Sequence, residues 1–360
     1  MAKSPKVVVN TSVLHWALER SGKAYTIEKK FPKLTEWLKG ESKPTLRQLE
    51  ELAKTTYTPL GYFFLPEPPK ERLPIPHFRT FEDQSVQRFS PELIETVQMM
   101  KRRQNWMREY LIEQGHDPLF FVGSANISDN PLDVAQNIRT LLGLEDNWAA
   151  QLPNWTEALR KLQIKMEDLG IIVVVNSVVG NNTHRKLNPT EFRGFVLVDK
   201  FAPLVFVNGA DGKAAQMFTL AHELAHIWFG VSAAFDLRDL QPAEEEIERV
   251  CNSVAAEVLV PQQEFHNVWK DVLAGSESFQ LLARHFKVSE LVVARRALDL
   301  GHITKKEFID FYNDYLTKER SNVRDNNGGN FYATQNLRIG RRFAEAVITA
   351  VGKEKLLYRE

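Results

Sequence analysis

The stretch FTLAHELAHIWFG, residues 218–230, is apolar on all sides of any helix it forms, yet it carries His222, Glu223 and His226. A polar group buried without a partner costs several kcal/mol, about 2–7 depending on the reference state. The run therefore fits only a fold that satisfies all three side chains. A hydrogen-bonded core can do that, and so can a metal ion, but a buried His-Glu-His cluster is hard to satisfy without a metal. In H-E-x-x-H the two histidines fall one helical turn apart on one face. Both imidazoles then reach one tetrahedral Zn²⁺, while Glu223, one residue round the helix, reaches a water held by that ion. Zinc lowers the pKa of such a water towards about 7 and polarises a scissile carbonyl. Glu223 takes the proton and hands it to the leaving amine. That division of labour is what amide hydrolysis needs.

A catalytic zinc site needs a third protein ligand. The helix QPAEEEIERVCNSVAAEVLVP offers candidates, and Ile247, Val250, Cys251, Val254, Ala255, Val258 and Leu259 form one apolar stripe along it. Glu248 and Asn252 lie together on one edge of the stripe. Glu257 lies about 180° away from Glu248 at 100° per residue, so the two cannot serve the same ion. Glu244, Glu245 and Glu246 fall in the first turn after Pro242, where carboxylates complement the helix dipole. Geometry thus favours Glu248 as ligand with Asn252 behind it, and leaves Glu244 and Glu257 open.

The remainder of the chain reads as two or three domains, the expectation for 360 residues. Several short helices occupy residues 1–66, with Ser12 able to cap the first of them. LPEPPKERLPIPHFRTF holds five prolines in its first twelve residues and marks a stiff linker over 67–90. Residues 91–275 contain a long helix from Pro91, two further helices, and then β-branched runs, IIVVVNSVV, FRGFVLVD and PLVFVNG, that form a small sheet ahead of the His222 helix. Residues 276–318 are helical again. Residues 319–360 comprise a polar loop (RSNVRDNNGGNF, 320–331) and an amphipathic helix, and the chain ends at LLYRE inside what reads as a continuing helix, as a truncated chain would. The fold class is α+β, mainly helical. Formal net charge is zero, so no global field points to nucleic acid. One cysteine, Cys251, excludes a disulfide framework and implies a reducing, cytoplasmic setting. No apolar run of 18 residues exists to span a membrane.

FTLAHELAHIWFG followed by EIERVCNSVAAEVLVP resembles the ImmA/IrrE metallo-endopeptidases, which pair an H-E-x-x-H helix with a second helix of the form E-x-x-A-N-x-F-A. Matched residue by residue, the family's ligating glutamate falls on Glu248 and its asparagine on Asn252, with Cys251 for the usual alanine and Val254 for the usual phenylalanine. The resemblance implies a zincin-like domain whose strand within PLVFVNG pairs with the substrate backbone. It also implies a protein substrate of the repressor or antitoxin kind, cleaved in response to stress or foreign DNA. His184, in NNTHRK, reads as a solvated loop residue.

The N-terminal region, best in Trp37 to Thr45, resembles an XRE-type helix-turn-helix domain. TIEKKFPKLTEW is short for the usual helix pair, and Pro32 stands where turn and recognition helix would meet. Lys29, Lys30, Lys33 and Lys39 are placed to touch phosphates, and protein docking or dimerisation is an equal expectation for this module. Lys101, Arg102, Arg103 and Arg108 read as a charged helix face. ARHFKVSELVVARRALDLG is also helix-turn-helix-like, with the aliphatic content of a packing segment. The leading expectation is an intracellular zinc endopeptidase. The alternative is a DNA-binding regulator or antitoxin that keeps the peptidase fold as scaffold or sensor.

Overall fold

A computed structural model of the chain describes residues 5–71, 89–235, 246–272, 278–321 and 338–353. The protein is α+β and mainly helical, as the sequence implies. It divides into two compact units, with the described residues up to Gln98 in the first and those from Met99 onward in the second. The division falls within one long helix, Pro91–Glu113.

The first unit packs four short α-helices, α1 (Thr11–Ser21), α2 (Ala24–Lys30), α3 (Leu34–Leu38) and α4 (Leu46–Thr56), and a 3₁₀ turn at Leu60–Phe64. Their apolar faces meet around Leu14, Ile27, Leu34, Trp37, Leu49 and Phe63. Asn10, and not Ser12, caps α1, its Oδ1 accepting from the Ser12 backbone N–H at 3.0 Å. The asparagine reaches the orphan amide two residues on, a position Ser12 has already passed. Thr45 and Gln48 form a reciprocal capping box on α4. Pro32 sits in the turn between α2 and α3, and α3 is only five residues long. The start of the proline-rich stretch is fastened to this unit by Arg20, which donates to Glu71 at 2.7 Å. Residues 72–88 of that expected linker lie outside the described residues.

The second unit is organised on a four-stranded sheet. The long helix is α5 (Pro91–Glu113), followed by α6 (Pro131–Leu142) and α7 (Trp155–Asp168). The strands β1 (Ile172–Asn176), β4 (Gly194–Leu197), β5 (Leu204–Asn208) and β6 (Ala233–Phe235) take the order β1-β5-β4-β6, while β2 (Val178–Val179) and β3 (Asn182–Lys186) make a separate hairpin. β5 runs parallel to β1 and antiparallel to β4, with Phe195 opposite Phe206. Every residue of β1, β4 and β5 is buried, which is why these strands read as continuous apolar runs without alternation.

From β5 the chain turns through Gly209–Gly212 into α8 (Lys213–Phe229), the helix of the opening motif. All residues from Gln216 to Phe229 are buried. The sheet, α7, the loop around Gly123 and α9 (Glu246–Leu259) together cover it. Gly230, at φ +72°, ends α8 in the left-handed conformation, and a side chain there would meet the Gly123 backbone at 3.1 Å. α9 turns its expected stripe inward, with only Val250 half-buried. Helices α10 (Gln262–Val272), α11 (Ser278–Phe286), α12 (Glu290–Asp299) and α13 (Lys305–Ser321) follow. The last, α14 (Arg341–Gly352), packs near β1 and ties its Arg341 to Glu167 and Asp168 of α7. Residues 322–331 of the expected polar loop, Pro242, Glu244, Glu245 and the LLYRE end lie outside the described residues. No described helix is long and apolar enough to cross a membrane.

Candidate metal centre

α8 and α9 pack side by side and bring His222, His226 and Glu248 together. The Nε2 atoms of the two histidines are 3.0 Å apart. Glu248 Oε2 is 3.1 Å from His222 Nε2, and Oε1 is 3.4 Å from His226 Nε2. Among the described residues this is the one group of three His, Cys, Asp or Glu side chains close enough to share an ion. Both histidines and Glu223 have no exposed surface, and Glu248 is nearly buried.

The hydrogen bonding of His222 orients the donors. Its Nδ1 lies 3.0 Å from Asn252 Oδ1. An amide oxygen accepts, so Nδ1 carries the proton and Nε2 of the neutral ring offers its lone pair. That lone pair faces the Glu248 carboxylate and His226 Nε2. Burial lowers the His222 pKa and favours this neutral form. Burial alone would raise Glu248, but the two imidazoles facing its carboxylate outweigh that and hold the carboxyl well below the usual carboxylate range. The centre therefore brings two imidazole Nε2 atoms and an ionised carboxylate together in a dry site, with the His222 lone pair directed into it. Such a donor set could hold a cation between its members.

Glu223 stands apart from these donors. Neither of its carboxylate oxygens has a hydrogen-bond partner among the described residues. Burial pushes its pKa well above the ordinary value, and the charge on Glu248 adds to the shift. Burial likewise pushes the Cys251 thiol up, with Glu248 and Glu223 contributing.

The remaining candidates separate clearly. Glu257 points elsewhere, pairing with Arg296 of α12 and accepting from the Gln262 backbone N–H at 3.0 Å. Glu246 lies in the first turn of α9, and Glu244 is outside the described residues. His184 is exposed on strand β3 and not in a loop, because its segment folds back on β2. The strand within PLVFVNG, β5, is interior: β1 and β4 already use both of its edges, so it cannot pair with a substrate. β6, beside β4, is the edge strand on that side of the sheet. Of the basic patch on α5, Arg103 donates to the Arg338 and Ile339 carbonyls and Arg108 pairs with Asp199, so both serve the unit's own packing.

Two residues at the site escaped the sequence reading. Gly194 of β4 packs directly on α8: a Cβ there would meet Thr219 Cγ2 at 2.5 Å, the Phe206 carbonyl at 2.8 Å and Glu223 Oε1 at 3.4 Å. A glycine inside the apolar run FRGFVLVD was the available signal, since such a glycine often marks close approach of another group. Thr219, one turn before Glu223, gave no signal at all.

The α+β unit thus carries a buried His-His-Glu cluster that could hold a metal ion, beside a carboxylate with no hydrogen-bond partner among the described residues. Residues 166–298, just over a third of the chain, match the family model described as the IrrE N-terminal-like domain, Peptidase_M78. The match spans β1 through α12 and so includes every residue of the centre, and it supports an ImmA/IrrE-type metallopeptidase. No curated protein matches the chain.

Proposed function

We propose that the chain is a zinc-dependent endopeptidase that cleaves a regulatory protein of the repressor or antitoxin kind. The observation that carries this is the pairing of a complete donor set with a buried, unpartnered carboxylate at Glu223. Tetrahedral zinc with bonds of about 2.0–2.1 Å places its ligand atoms roughly 3.3 Å apart. The 3.0 Å between the two Nε2 atoms, and the 3.1 and 3.4 Å from them to the two Glu248 oxygens, lie close to that spacing. His₂Glu is also a donor set that suits zinc among the divalent ions. His222, His226 and Glu248 would hold the ion, with Asn252 fixing the His222 ring. Zinc bound there would supply Lewis acidity, lowering the pKa of a water and polarising the scissile carbonyl.

The chain's own residues do the rest. Glu223 receives the proton of the attacking water on a carboxylate oxygen and passes it to the nitrogen of the leaving amine. The edge strand β6 pairs with the substrate backbone, which selects an extended segment of a protein. The first unit serves as the docking element, reading either a protein partner or DNA through the lysines around α2 and α3.

Incubation of the zinc-loaded protein with a proteome-derived peptide library, with new N-termini read by mass spectrometry, tests the reading. Cleavage by wild type and at least a hundredfold less by Glu223→Gln is expected, in line with the 10²–10⁴-fold contribution of a general base. Equal behaviour of the two proteins would leave the binding regulator as the better account.

A further inference from the structure

The polar cluster on α8 extends one turn ahead of the histidine pair. Thr219 is fully buried, and its hydroxyl has no hydrogen-bond partner among the described residues. Threonines within helices commonly turn the hydroxyl back onto the carbonyl four residues earlier. Elsewhere in this chain they do so: Thr55 to Glu51 at 2.7 Å, Thr96 to Glu92 at 2.7 Å, Thr140 to Gln136 at 2.8 Å and Thr349 to Glu345 at 2.7 Å. Thr219 departs from that habit at a position where an unmet hydroxyl is costly.

Its surroundings give the departure a meaning. Thr219 and Glu223 are four residues apart on one helical face, and side chains in a helix lean toward its N-terminus. The Glu223 side chain therefore leans over Thr219. The methyl of Thr219 and Oε1 of Glu223 both converge on Gly194, lying 2.5 and 3.4 Å from the point where a Cβ on that glycine would stand. A buried hydroxyl and a buried carboxylate, each without a partner, thus share one slot floored by a glycine.

We propose that Thr219 is a positioning residue for the hydrolysis. By rotation about χ1 its hydroxyl donates to one carboxylate oxygen of Glu223, which leaves the other oxygen aimed at the attacking water. Gly194 keeps open the slot in which the two groups meet. This rests on the peptidase reading above.

The test compares Thr219→Val, which keeps the shape and loses the hydroxyl, with Thr219→Ser, which keeps the hydroxyl and loses a methyl. The probe is the peptide from the library that the zinc-loaded wild type cleaves best. Thr219→Val should lower kcat about tenfold at unchanged KM, Thr219→Ser should keep at least half of wild-type kcat, and metal-free Thr219→Val should melt no lower than wild type. A kcat for Thr219→Val within twofold of wild type overturns the proposal. Equal losses in both variants, or a lower melting temperature for Thr219→Val, also overturn it, because the residue would then be acting through packing. A wild type that cleaves nothing defeats the peptidase reading and this inference with it, whereas an active wild type beside an indifferent Thr219→Val defeats this inference alone.

Discussion

Glu223 has no exposed surface and no hydrogen-bond partner among the described residues, so ionising it in the metal-free protein works against folding. The sign of the pH dependence follows. Its folded pKa is raised above the unfolded value, so its stabilising contribution is complete below about 4.3 and is lost as pH rises towards the folded value. Glu248 runs the other way: its folded pKa is depressed, so its contribution is present above about 4.3 and lost as pH falls below it. Glu223→Gln should abolish cleavage yet gain stability relative to metal-free wild type as pH rises from about 4.3 to 8. Thermal melts of both proteins across that range check this, and a difference that shrinks with rising pH would contradict it. The histidine pair and Glu223 were legible because chemistry and helical spacing coincide within five residues. Glu248 was favoured by its angle on α9 and singled out over Glu244 and Glu257 only by the family resemblance. Thr219 and Gly194 were not, because their roles arise only where a strand far back in sequence packs against α8.

Among the elements, α9 shows how one helix serves two purposes through opposite edges. Glu248 faces α8 and the centre, while Glu257 faces α12 and closes an ion pair with Arg296 that is largely out of water. Burial pushes Arg296 down to about 10, so it stays charged at neutral pH and needs its partner. Removing one member of a buried pair leaves the other uncompensated, at a cost of about 3–5 kcal/mol. Glu257→Ala should therefore lose roughly that much stability in chemical denaturation and still bind one metal ion, whereas Glu248→Ala should lose the metal. Metal loss in Glu257→Ala at a temperature where it stays folded would reverse the assignment. The 180° separation along the helix was readable from sequence, but the partner Arg296 was not. Strand order shows the same limit. The apolar run PLVFVNG identified a strand correctly, and nothing in its period could reveal that β5 lies inside the sheet while β6 lies at its edge. The cap of α1 went to Asn10 over Ser12 for a similar reason, since both residue types can cap and only the backbone path chooses between them.

For the molecule as a whole, the α+β class and the predominance of helix followed from periodicity, and the described residues divide into two compact units. The boundary itself did not follow, because it falls within α5, where an unbroken helical pattern carries no mark of a change in unit. What joins the sequence to the proposed activity is one claim: that His222, His226 and Glu248 hold a single divalent ion. The measurement that tests it most directly is the metal content of the purified full-length protein after exposure to zinc, beside His222→Ala and Glu248→Ala. One zinc per chain in wild type, lost in both folded variants, is the predicted result. A folded wild type that takes up no zinc, or a Glu248→Ala variant that keeps it, would contradict the account.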